Sequence, residues 1–403
     1  MKTLVQFGAG NIGRSFVGRI FAEHGWRVVF IDLDRELIDR LNACGQYRVV
    51  VKDSGQPDEI VTVEGVRGID ARDQAPVAAA LADADLAATA VGKNALPSLA
   101  PVLARGLLAR RQLHGDRPLD LVLAENVRNG GAIVRQALRR ELPSDYPLNK
   151  LAGLVETSIG KMVPLMTREA LAVDPLWLFA EPYNTLILDR RGFRGQPPTM
   201  PELKMVDNIA AYVDRKLFIH NLGHAAAAYL GFCQAGEGGL LWQYLDNPAV
   251  LEDTRRVMQQ AAAGVAAEYP NEFSTAQLHS HIEDLLRRFR NRALGDTAFR
   301  VGLDLRRKLG RHDRIVGAML LNRRHGLPYK AIAHVLLAAL RFRAGDENGS
   351  LFPADAEFIA RDLPLGLNYV LTAVCGLSPD HLADRESIDT IFYLQNVFDR
   401  SKE

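Results

Sequence analysis

Six residues near the start of the chain, GAGNIG at positions 8–13, leave it few folds to choose from. They supply Gly8, Gly10 and Gly13 in a G-x-G-x-x-G pattern, which on its own occurs by chance. The flanks give it meaning. TLVQF (3–7) is a short apolar run before it, and after it Ile12, Phe16 and Ile20 recur every four residues, as on one helix face. The next β-branched run, RVVFIDLD (27–34), ends in acids. Strand, glycine turn, helix, strand and acid is the order that dinucleotide binding requires. Gly8 permits the tight turn, Gly10 lets a pyrophosphate approach the backbone and Gly13 allows helix to pack close on strand. The helix N-terminus favours the negative charge. Ala9, Asn11 and Ile12 complete the expected cofactor loop. Asp32 stands where a carboxylate accepts hydrogen bonds from the adenosine ribose hydroxyls. Asp34 beside it opposes a 2′-phosphate, so NAD is expected over NADP, with Arg35 weighing the other way. A glycine turn without a ligand is the competing reading, and the flanks argue against it.

Further strand-like runs follow at LAATAVG (86–92), LDLVLAEN (119–126) and LAGLVETSIG (151–160), with helical spans such as LPSLAPVLARGLLARR between them. Alternation of this kind predicts a Rossmann-type α/β domain with a parallel-rich sheet. Residues 50–69 read as a hairpin with a Gly-Gln-Pro turn. RRGFRGQPPTMPEL (190–203) mixes glycine, proline and charge, as at a domain junction. Beyond it nearly every segment reads as helix. At 403 residues the chain exceeds what one core usually holds. The expectation is a nucleotide-binding domain over 1–195 and a mostly helical domain over 196–403. TAVG places Ala90, Val91 and Gly92 at the carboxyl edge of the sheet, where ligands bind in open α/β folds. ENVRNG puts Glu125 and Asn126 at the tip of the next strand, although Asn and Gly are also common turn residues.

Composition narrows the partners. A formal net charge of +1 provides no global basic field for nucleic acid. Cys44, Cys233 and Cys375 are scattered without metal-ligand or disulfide spacing, as suits a reducing compartment. The N-terminus carries no signal-peptide pattern, and no apolar run approaches the length of a membrane span. A cytoplasmic protein with a small-molecule partner is expected.

The stretch RKLFIHNLGHAAAAYLG (215–231) packs Lys216, His220, Asn221 and His224 into nine residues ahead of helical alanines. On an α-helical wheel Lys216, His220 and His224 follow at i, i+4 and i+8, with Asn221 beside His224 and Gly223 leaving room for a ligand. A solvated polar face is the bland reading, opposed by the apolar flanks, because a buried lysine needs a reason. His220 and His224 as metal ligands lack the glutamate of a zinc-protease motif and any nearby third ligand; no metal is expected. The pair His279 and His281 reads as helix surface. The catalytic reading fits a nicotinamide enzyme. Burial lowers a lysine toward a useful base, asparagine amides donate to a developing alkoxide, and histidine orients a hydroxyl.

These residues resemble the polyol-specific long-chain dehydrogenases. The likeness runs through FGAGNIGRSFVGRIFAEHG, TAVG, AENVRNG, VETSIGKMVP, RKLF, RVGLDLRRKL (300–309) and HGLPYK (325–330), and so spans most of the chain. The K-x4-N-x2-H spacing is met by Lys216, Asn221 and His224. The resemblance implies Lys216 as general base, Asn221 and Asn126 as partners in binding the reacting oxygen, and His224 as a substrate contact. It implies metal-free hydride transfer with NAD between an alditol phosphate such as mannitol 1-phosphate and a ketose of the fructose 6-phosphate type. A monomer or weak homo-oligomer would follow.

The expected substrate wall departs from the family's pattern. Gly160-Lys161 stands where many members carry Asp-Arg, Tyr183–Leu186 replaces an F-x-x-W-type stretch, and Leu303 replaces an arginine. Lys161, Arg307 and Lys308 are the candidate phosphate cations, each equally readable as a surface or helix-end charge. Hexuronate reduction or free-polyol oxidation within the same superfamily is the nearest alternative. A noncatalytic NAD sensor is the alternative of a different class.

Overall fold

The computed structural model describes residues 1–164, 166 and 168–400, with backbone alone at 168–170 and 398–400. Its strands are β1 (Thr3–Phe7), β2 (Arg27–Asp32), β3 (Gln46–Val51), β4 (Glu59–Glu64), β5 (Val66–Asp70), β6 (Leu86–Thr89), β7 (Leu119–Leu123), β8 (Ala152–Ile159), β9 (Leu178–Ala180), β10 (Leu186–Asp189) and β11 (Leu203–Val206). Eight of them form one sheet in the order β11-β10-β8-β7-β6-β1-β2-β5. Neighbours pair parallel throughout except β10 with β8. The hairpin expected over 50–69 is formed by antiparallel β3 and β4, and β9 joins it in a separate three-stranded sheet.

The large sheet is buried on both faces, which explains why its strands read as continuous apolar runs. Along β1, Leu4 enters one core layer while Val5 and Phe7 enter the other; along β2, Val28 and Phe30 alternate with Val29 and Ile31. That period of two is the pleat of a strand. Phe16, Val17, Ile20 and Phe21 cover the first face. Leu81, Leu103, Leu107, Val134 and Leu138 cover the second. The chain leaves β1 toward β2 on one side and returns to β6 on the other. This reversal leaves a crevice at the carboxyl ends of β1 and β6.

The chain divides into two compact units, Met1–Val213 and Asp214–Glu403. The first therefore runs past the proline- and glycine-rich segment that marks the expected junction near residue 195. The reason is that β11, beyond that segment, pairs with β10 at the sheet's edge, Leu186 opposite Leu203. Proline and glycine there turn the chain within a domain.

The second unit is almost wholly helical. Its central helix, Leu222–Ala235, buries Ala225, Ala226, Ala227, Ala228 and Tyr229 completely. Such small side chains let the helix Pro248–Glu268 lie close against it. At Gly223 a Cβ would stand 2.5 Å from Met258 Sδ. The room expected for a ligand at Gly223 is thus filled by a methionine of the neighbouring helix.

Candidate active site

The first unit carries the glycine loop. Gly8 has φ +87°, a left-handed conformation that only glycine adopts without strain, and a Cβ there would lie 2.4 Å from Ala90 O. A Cβ on Gly13 would meet Gly8 O at 2.0 Å, so the helix start is pressed onto the turn. Gly10 is exposed, and a Cβ there would meet nothing within 4 Å. Two glycines thus serve packing, while the middle one keeps its backbone open to an approaching group. Asn11 and Ile12 are half-buried at the helix start, and Gly13–Gly18 winds as a π-helix into Arg19–Glu23. Such π segments inside helices recur at functional sites.

Asp32 braces this loop from the end of β2. Its Oδ2 accepts from Ala9 N at 2.6 Å and its Oδ1 from Asp34 N at 3.0 Å. A carboxylate offers about four lone-pair sites, so both oxygens retain capacity for ribose hydroxyls. Asp34 caps the helix Arg35–Cys44 through Leu37 N at 3.1 Å, and Arg35 faces Asp39 at 3.8 Å. At the crevice, Glu125 accepts from Val91 N and Gly92 N, each at 2.8 Å. It thereby shapes the turn that includes Ala90. Burial pushes the Glu125 carboxyl up, and those two amides oppose the rise. Asn126 is exposed immediately after it. The open Gly10, the helix N-terminus and the acid at β2 together fit NAD.

Arg14 is a member of this loop that sequence reasoning passes over. Its buried guanidinium donates to Ala9 O at 2.6 Å and to Leu176 O at 3.0 Å, and its own carbonyl accepts from Tyr47 Oη at 2.7 Å. Its place directly behind GAGNIG was the available signal; Leu176 and Tyr47 lie too far along the chain to announce themselves.

The second unit supplies the lysine, asparagine and histidine. Lys216–Asn221 is a π-helix leading into the helix Leu222–Ala235. On an α-helix at about 100° per residue, Asn221 would sit about 140° around from Lys216. The i→i+5 bonding of a π turn winds the chain more slowly and so brings Asn221 nearer to the face of Lys216 than an α-helix would. Lys216 keeps partial access to solvent, yet burial, aided by nearby Arg314, lowers its ammonium to about 8. Arg314 also donates to Asn221 O at 3.4 Å and pairs with Asp313 at 2.8 Å.

His220 leaves the polar arc drawn on the α-helical wheel. It is buried beside Phe289, ring centroids 5.5 Å apart. Burial first, then Arg288, His224, Lys216 and His281, holds it well below the usual imidazole range. His224 stacks on the same Phe289 at 4.7 Å and 20°. Its Nε2 faces Asp296 Oδ2 at 3.4 Å, within ion-pair reach but too poorly aligned for a hydrogen bond.

The three candidate phosphate cations are engaged elsewhere. Lys161 is buried, and its Nζ donates to Glu181 O at 3.2 Å, Tyr183 O at 2.8 Å and Asn184 Oδ1 at 3.1 Å. An ammonium has three donors, and these bonds tie residues 181–184 to Lys161, just past the end of β8. Lys308 is buried, donates to Val301 O at 2.5 Å and is held well below the ordinary lysine range by burial, then by Arg314 and Arg307. Its buried position and its bond to Val301 O keep it from presenting a free charge to a phosphate. Arg307 is exposed but bonded to Asp304 and, at 3.1 Å, to Asp313. Among the described residues, no cluster of three or more His, Cys, Asp or Glu is placed to hold a metal ion. No described helix is long and apolar enough to cross a membrane.

Comparison with known proteins agrees with both halves. Residues 2–202 match the mannitol dehydrogenase Rossmann domain, and residues 208–365 match the mannitol dehydrogenase C-terminal domain. The chain is 34% identical over 356 residues to the mannitol-1-phosphate 5-dehydrogenase of Brevibacillus brevis, covering 88% of this chain and 87% of that one. It belongs to the mannitol dehydrogenase family. Membership makes it an oxidoreductase, an NAD-dependent polyol dehydrogenase. The fold is shared with a D-sorbitol dehydrogenase in substrate-free form, at 17% identity and TM-score 0.78 over 99% of this chain and 93% of that one. It is shared also with the Pseudomonas fluorescens mannitol 2-dehydrogenase, solved as a ternary complex with NAD and D-mannitol. There the identity is 16% and the TM-score 0.73, over 98% of this chain and 94% of that one.

Proposed function

We propose that this mannitol dehydrogenase family member interconverts an alditol phosphate of the mannitol 1-phosphate type and the corresponding ketose phosphate, using NAD. The observation that carries the chemistry is Lys216: a lysine lowered to about 8 on a π turn shared with Asn221. At neutral pH a useful fraction of such an amine is unprotonated and takes the proton of a substrate hydroxyl. The amide of Asn221 donates to the oxygen as negative charge builds on it. His224 binds a neighbouring hydroxyl. NAD, when bound by the Gly8–Gly13 loop, Asp32 and the Ala90–Gly92 turn, supplies the hydride acceptor. The phosphorylated substrate rests on the likeness to the Brevibacillus enzyme, at 34% identity.

One observation favours a second reading. Lys161, Lys308 and Arg307 each already have internal partners, which suits a substrate without phosphate, either a free polyol or a hexuronate-type ketose. A kinetic panel of ketose phosphates, free ketoses and hexuronates, each with NADH and NADPH, separates the two. The proposal expects the highest kcat/KM with fructose 6-phosphate and NADH. Activity confined to unphosphorylated hexuronates would overturn it.

A further inference from the structure

The contact between Asp296 and His224 has no place in the steps above. Asp296 is 7% exposed and lies at the start of a short turn whose helix, Ala298–Gly302, is capped by Thr297 through Arg300 N at 3.1 Å. Its position is pinned on both sides. Its carbonyl accepts from Leu241 N at 2.8 Å, and the adjoining Thr297 bridges Leu240. Arg300, one turn on, reaches back to bond Asp296 Oδ1. The other oxygen, Oδ2, is left facing His224 Nε2 at 3.4 Å. Burial alone would raise this carboxyl, but His224 and Arg300 outweigh it and hold it below the usual range. The face of the imidazole is stacked on Phe289, which supports this orientation.

We propose that Asp296 is a positioning residue that keeps the proton of His224 on Nε2, leaving Nδ1 as the acceptor that binds a substrate hydroxyl. An ionised carboxylate is an acceptor only, so its charge, 3.4 Å away though not aligned for a hydrogen bond, draws the proton to the imidazole nitrogen facing it. The buried Nε2 accounts for none of the ring's 19% exposure, so that exposure belongs to the remainder of the side chain. The consequence for substrate binding rests on the reading of His224 as a substrate contact.

Asp296→Asn tests it without changing side-chain size. Arg300 requires an oxygen, so the asparagine carbonyl turns to Arg300 and its amide N–H turns to His224. Nε2 then becomes the acceptor and the proton moves to Nδ1, as happens when the orienting carboxylate of a catalytic triad is replaced by its amide. In the full chain, 15N-labelled at its 10 histidines and assigned with a His224→Gln variant, imidazole NMR should show Nε2–H in the parent and Nδ1–H in Asp296→Asn. KM for mannitol 1-phosphate should rise about tenfold, the loss of one hydrogen bond, with kcat changed less than about threefold. Combining Asp296→Asn with His224→Ala should add nothing further, since the two act as one unit. The same His224 tautomer in both proteins, or an equal rise in KM without the histidine, overturns the proposal. An unchanged KM in His224→Ala alone would instead remove the substrate-contact reading. The NMR result, which needs no substrate, still decides whether Asp296 sets the ring, so the two fail separately.

Discussion

Replacing Lys216 by alanine should remove most turnover and leave the nucleotide site intact, and the size of the effect follows from the lysine's surroundings. An ordinary lysine near 10.5 is lowered here to about 8, by burial first and Arg314 second. That difference corresponds to about 3 kcal/mol between the two protonation states. At pH 7 about one molecule in ten holds the neutral amine, against about one in three thousand for an unperturbed lysine, a gain of about 300-fold in available base. General-base assistance contributes about 100- to 10,000-fold, so Lys216→Ala should lower kcat for mannitol 1-phosphate oxidation by that order. NADH affinity, read by fluorescence titration, should stay within about twofold because the loop Gly8–Gly13 is untouched. The pH dependence gives a second check. For oxidation, kcat/KM should rise with pH to an inflection near 8, where the amine loses its proton. For ketose reduction the same lysine must donate, so kcat/KM should fall through that inflection. Turnover unchanged in Lys216→Ala, or an inflection near 8 that survives the substitution, would refute the role of the amine.

Other consequences are open to direct measurement. Gly13→Ala should destabilise the protein by more than about 2 kcal/mol in urea unfolding, because its Cβ would lie 2.0 Å from a backbone oxygen. Gly10→Ala, whose Cβ meets nothing, should change stability by less than about 0.5 kcal/mol yet weaken NADH binding at least tenfold. Lys216→Met should stabilise the fold at pH 7. Below about 8 the folded chain carries a charged amine in a poorly hydrated site; as pH rises toward 10.5 the folded amine is neutral while the unfolded one still binds its proton. The advantage of methionine should therefore shrink steadily between those values, and a difference independent of pH would contradict the depressed lysine.

The nucleotide half was readable because its signals are local. Three glycines at fixed spacing, a β-branched run on either side and an acid at the end of β2 each act within one turn of chain. Gly8 and Gly13 pack as that logic requires, Gly10 stays open and Asp32 braces the loop, while the contacts of Arg14 come from residues distant in the chain. The second half was read in part. Lys216, Asn221 and His224 were visible as residue types at a spacing, but an α-helical wheel assigned His220 to their face and room to Gly223. Burial sent His220 against Phe289, and Met258 filled the space at Gly223. The phosphate cations show the same limit. Nothing around Lys161 in the sequence marks the oxygens of Glu181, Tyr183 and Asn184 that surround it.

By itself, then, the sequence determined a Rossmann-type domain followed by helices, and it singled out a lysine, asparagine and histidine for the proposed chemistry. Residue type and short-range spacing are sufficient for that, since backbone turns and helix starts answer to neighbours a few residues away. The tertiary structure decided how those groups are presented. A π turn, which local spacing does not announce, brought Asn221 nearer to the face of Lys216. Burial lowered that lysine's ammonium, and Asp296, distant in the chain, came to face His224.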